Sequence, residues 1–83
     1  MNKYTENVDF NFLASFGIHY VMHQPWQMGI LYPDWDGGKF VWYPAIGTLM
    51  VEIDHRAQKL GEYTDTEDMY NAMRKYLGQH DKR

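Results

Sequence analysis

The sequence predicts an α+β fold: a short N-terminal helix, an antiparallel meander of three to five strands, and a C-terminal helix packed on the sheet. Three observations predict it. Apolar residues keep helical spacing up to Phe16, and from Ile18 the period changes to two. Turn-forming Pro, Gly and Asp residues interrupt the alternating stretch at short intervals. Helical spacing returns after Thr64. With 83 residues the chain has room for one domain and one modest core.

The first helix is expected over Val8 to Phe16. Asn7 or Asp9 can cap it, Phe12, Leu13 and Phe16 share a face, and Gly17 is a fitting stop. A helix this short is marginal alone, so it must dock on the core. From Ile18, the residues Ile18, Tyr20 and Met22 alternate with His19, Val21 and His23, which predicts a strand. Gln24-Pro25 predicts a tight turn. Trp26, Met28, Ile30 and Tyr32 then predict a second strand, and Pro33 to Gly38 a loop. Phe40 to Tyr43 is the third strand and Pro44 to Gly47 a further turn.

Thr48 to Leu60 supports two readings. Leu49, Val51 and Ile53 alternate as a strand does, whereas Leu49, Ile53, Ala57 and Leu60 also fit a helix ending at Gly61. The β-branched residues and the preceding turn favour a strand over Thr48 to Ile53, with Gln58 to Tyr63 returning as a short edge strand. The last helix carries a capping box, Thr64 with Glu67, and acidic residues in its first turn. Arg74 and Lys75 lie near its end, Met69, Tyr70, Met73, Tyr76 and Leu77 form its apolar stripe, and Gly78 is the expected stop. Residues 79–83 read as a frayed tail. With the helices on one face of the sheet, the other face keeps Val21 and Leu31, and binding is expected there or around Trp35.

Composition excludes several functions. The chain has no cysteine, which removes disulfides, thiolate metal sites and cysteine nucleophiles. A net charge of −3 argues against binding a phosphate backbone. No apolar run reaches the roughly 18 residues of a membrane span, and the polar start has no signal-peptide core, so a cytoplasmic protein is expected. No Walker, G-x-S-x-G, G-x-G-x-x-G or H-E-x-x-H pattern occurs, and Ser15 is the sole serine, so the chain reads as a non-enzyme without a cofactor.

Several conspicuous residues also have ordinary structural roles. His19 and His23 would share a metal on a helix, but on a strand they stand roughly 13 Å apart, which favours two solvent-facing polar positions. Asp34-Trp35-Asp36-Gly37-Gly38 resembles the start of a calcium loop, yet Ala45 stands where the bidentate Glu belongs. A helix-turn-helix would present Asp65, Glu67 and Asp68 to phosphates and be repelled. Three tryptophans and seven tyrosines are more than a core of this size holds easily. Trp35, in a polar loop, is the tryptophan expected to be exposed. The candidate partner-binding residues are therefore Trp35 with Asp34 and Asp36, the strand positions His19, His23 and Gln27, and the acidic patch of Asp65 and Asp68.

The run Trp42-Tyr43-Pro44-Ala45-Ile46-Gly47-Thr48, followed by Lys59-Leu60-Gly61-Glu62-Tyr63 and a capped helix, resembles small phage- and prophage-encoded accessory proteins. The resemblance spans Gly29 to Leu77 and carries over no functional residue. It implies an inhibitor of a host-defence system, of the anti-CRISPR or anti-restriction type, acting in a bacterial host. The expected partner is a larger host protein or protein complex, blocked by steric occlusion. A structural subunit that forms homo-oligomers is the alternative, and a single-strand nucleic-acid binder the third reading.

Overall fold

The computed structural model describes residues 3–80, with side chains to Gly78. A 3-10 turn (Lys3–Thr5) leads to α1 (Phe10–Ser15), then β1 (His19–Gln24), β2 (Gln27–Leu31), β3 (Lys39–Tyr43), β4 (Thr48–Ile53), β5 (Arg56–Glu62) and α2 (Thr66–His80). The strands form one antiparallel sheet in chain order, β1-β2-β3-β4-β5. The fold is thus α+β with a five-stranded meander between two helices.

Local chemistry sets the element ends. Asp9 caps α1, its Oδ1 accepting from the Phe12 N–H at 3.0 Å. Gly17 follows in the left-handed region at φ 71°, and the Ile18 N–H donates back to the Leu13 carbonyl at 2.9 Å. The cap of α2 is Asp65, one residue later than the expected Thr64: its Oδ2 accepts from the Asp68 N–H at 3.2 Å. Tertiary contacts move the cap. The Asn7 side chain donates to the Thr64 carbonyl, and the buried Thr66 hydroxyl accepts from the Asp9 N–H at 2.9 Å. Gly78 does not stop α2, which continues to His80. Gly78 lacks the positive φ of a helix-ending glycine, and a helical glycine costs only about 1 kcal/mol. The expected tail at 79–83 is therefore helical through His80, and its last three residues lie outside the described part.

The ambiguous segment is a hairpin. Thr48–Ile53 pairs with β3 on one side and β5 on the other. Asp54 (φ 53°) and His55 (φ 67°) are both left-handed, as a two-residue I′ hairpin turn requires, and that turn ends any continuous helix over 49–60.

Alternation along the strands divides the sheet into two faces. Met28, Ile30, Phe40, Trp42, Leu49 and Val51 point to one face and are buried against Leu13, Ile18, Met69 and Met73. Both helices lie on this side. The Trp42 indole N–H, which burial would otherwise leave unpaired, donates to the Tyr63 carbonyl at 2.7 Å.

Two expectations about tryptophan are corrected. Trp26 lies in the β1–β2 turn rather than inside a strand, and it is the exposed one, at 46%. Trp35 is half-buried against the core, its ring 5.2 Å from that of Phe40. The polar loop carries Trp35, but its ring turns back under the sheet, where burial of a large apolar surface outweighs the local polarity.

Candidate functional site

Each strand gives its other set of side chains to the second face of the sheet. Val21 of β1, Leu31 of β2, Val41 and Tyr43 of β3 and Met50 of β4 are on it, and no described helix covers them. Val21 and Leu31 are half exposed, at 50% and 47%. A shallow groove of about 250 Å³ runs across the centre, lined by His23, Gln27, Val41, Tyr43, Met50 and Ala57 among others. Its floor is apolar and its rim polar, the usual anatomy of a surface that binds another protein.

The groove has identifiable causes. Gly29 has no side chain, and the His23 imidazole lies in the space a Cβ would fill. His23 can reach it because the strand register slips between Met22 and Gln24, where β1 bulges. The Gln27 amide donates to the Tyr43 hydroxyl at 3.1 Å and so orients both side chains at one end. Across the face, Lys39 pairs with Glu52 at 3.5 Å, directly opposite in the β3–β4 register. On β5, Lys59 pairs with Glu62 at 2.9 Å. These pairs leave the face close to neutral and are worth little to stability at this exposure.

Of the residues expected to bind a partner, His19, His23 and Gln27 belong to this face. Trp35 does not. It packs on Phe40, a residue of the helix-covered side, so the sheet separates it from His23. Asp34 and Asp36 are exposed in the same loop, Asp34 at φ 63°. Asp65 and Asp68 are also exposed, and the hydrogen bond between them caps α2. The eight residues thus fall into three separate places: the strand set borders the groove of the helix-free face, and Asp34 and Trp35 border a separate hollow with Tyr32 and Leu77 on the helix side.

Val41, Tyr43 and Met50 complete the face and were not among the expected residues. Carrying the alternation of Phe40 and Trp42 one step out of phase identifies Val41 and Tyr43.

The helix side holds a packed aromatic cluster. Tyr32 stacks on Tyr70 with centroids 6.0 Å apart, and Tyr70 contacts Phe12 and Phe16. Burial, reinforced by the hydrogen bond and charge of Tyr70, pushes the Tyr32 hydroxyl up to about 12, and nearby Arg74 opposes this. A phenol so raised stays protonated at neutral pH, so the cluster is a neutral structural unit there. Among the described residues no group of three or more His, Asp or Glu side chains converges as a metal site would require.

Comparison with known protein families, with curated proteins and with solved structures finds no match to this chain.

Proposed function

We propose that this chain is a non-enzymatic binding protein that occupies a surface of a larger protein through its helix-free sheet face. The observation that carries the reading is the apolar groove of that face, floored by buried Val41 and half-buried Met50 and flanked by exposed Val21 and Leu31, within a polar rim of His19, His23, Gln27, Lys39 and Glu52. Burying such a centre supplies affinity, and the rim fixes orientation. The mechanism is steric occlusion, which requires no bond to be made or broken. The resemblance to phage accessory proteins gives the partner class: a host-defence protein or complex in the cytoplasm of a bacterial host. No described helix is long and apolar enough to cross a membrane. The near-neutral face favours a protein partner over nucleic acid, because Lys39 and Lys59 are already paired with carboxylates.

Affinity capture from a bacterial lysate, with wild-type protein beside Met50→Lys, tests the reading. Met50 is on a central strand and half-buried in the groove, so a lysine there charges the face without touching the core. Wild type should retain one larger protein, and the folded variant should lose it at least tenfold. Equal retention by both, or no retention by wild type, would overturn the proposal. Folding of the variant is read by circular dichroism.

A further inference from the structure

β1 is an open edge of the sheet: it pairs only with β2, and all six of its residues are exposed. Tyr20, Val21 and Met22 form its centre, with the Phe10 ring 5.3 Å from that of Tyr20, Phe16 just before the strand in the chain and Trp26 in the turn at its end. Together these six account for most of the large apolar residues exposed among the described residues. The strand carries no Lys, Arg, Asp, Glu or Pro. Unpaired edges of this kind are normally blunted by charge, proline or cover, because they template pairing with another strand.

We infer that two copies of the chain associate through β1, antiparallel, to form one continuous ten-stranded sheet. Two identical antiparallel strands are related by a two-fold axis perpendicular to the sheet. That axis keeps each face on its own side, so one residue of β1 must stand opposite its own copy. With Val21 on the axis, Val21 meets Val21 and Tyr20 meets Met22 on both sides. The centre of the seam is then apolar on both faces. A Tyr20 axis sets His19 against Val21, and a Met22 axis sets His23 against Val21; both lose that match. The six apolar residues, 37–50% exposed, present roughly 600 Å² per copy. A pair that covers all six buries at most about 1,200 Å², the lower end of a stable interface, and the new ladder hydrogen bonds add to it. The second edge gives no such seam: a two-fold pair of β5 about Lys59 would oppose two ammonium groups.

The dimer needs no other protein, but Val21 belongs to both surfaces, so Met50→Lys, which leaves β1 unchanged, tests the partner reading separately. Its consequence for that reading is geometric: both helix-free faces lie on the same side of one extended surface.

Sedimentation of the purified chain across a hundredfold concentration range tests this. The mass should rise to twice the chain's, and Val21→Lys, with unchanged circular dichroism, should remain monomeric. The chain has no cysteine, so one introduced thiol reports proximity. Val21→Cys should form a disulfide-linked dimer on mild oxidation, since residues facing across such a pair have Cα atoms about 4.5–5.5 Å apart. Lys59→Cys should not. Three results would each overturn the proposal: a wild-type monomer throughout, a Val21→Lys variant as dimeric as wild type, or cross-linking through Lys59→Cys alone.

Discussion

β5 ends the sheet with Arg56, Lys59 and Glu62 along seven residues, and a bulge leaves Leu60 unpaired between Lys59 and Gly61. β1 ends the other side with Tyr20, Val21 and Met22, and no charged side chain. Both strands offer one free row of backbone N–H and C=O groups. The difference lies in what a neighbouring strand would meet. Both edges carry a bulge, at His23 in β1 and at Leu60 in β5, but at β5 the neighbour would also have to desolvate charges. At β1 it would bury apolar surface on both faces. One fold thus carries a protected edge and an unprotected one, and the contrast locates association at β1.

The contrast can be broken from the β5 side, where the largest effect is expected. Replacing Lys59 and Glu62 together by valine removes the charged pair and leaves a β-prone apolar edge. This variant should scatter light strongly at concentrations where wild type forms only a discrete dimer. Scattering equal to wild type would show that charge is not what protects β5.

A second substitution sharpens the comparison by altering stability away from both edges. Trp35→Ala removes a half-buried ring from the Phe40 contact and should lower unfolding free energy by about 2 kcal/mol in urea titration. Its dimer mass should be that of wild type under native conditions. Loss of the dimer without loss of stability would move the interface to the Trp35 loop.

The smallest effect is a pH dependence. The hydroxyl of Tyr32 titrates at an ordinary 10.0 in the unfolded chain and near 12 in the fold. The folded state therefore holds its proton more tightly, and stability should be constant below pH 10 on this account and fall between 10 and 12. Tyr32→Phe should flatten that fall, measured by denaturant titration at several pH values, and should do so equally in the Val21→Lys monomer. A fall that persists unchanged in Tyr32→Phe would assign it to other groups.

Much of the fold was legible because its local signals agree with its packing. Asp9, Gly17, the Pro25 turn and the alternation through β1 to β4 all act within a few residues. The β4–β5 hairpin was harder to read, because its turn is Asp54-His55 rather than the Asn-Gly or Asp-Gly that marks such turns. The site was legible only in part. His19, His23 and Gln27 follow from alternation, but grouping them with Val41, Tyr43 and Met50 needs the register of three strand pairs. Register depends on which face is buried, a property of the assembled sheet.

The sequence alone determined the element types outside 48–60 and the two faces of the first three strands, since period and turn chemistry are local. Tertiary structure decided the rest. It moved the α2 cap to Asp65 through the Asn7 and Thr66 hydrogen bonds, and it carried Trp35 from its polar loop onto Phe40. It also placed both helices on one side, leaving the second face and the β1 edge open. The physical reason is the same throughout: a side chain's surroundings are set by residues distant in the chain, and burial among them outweighs local preference.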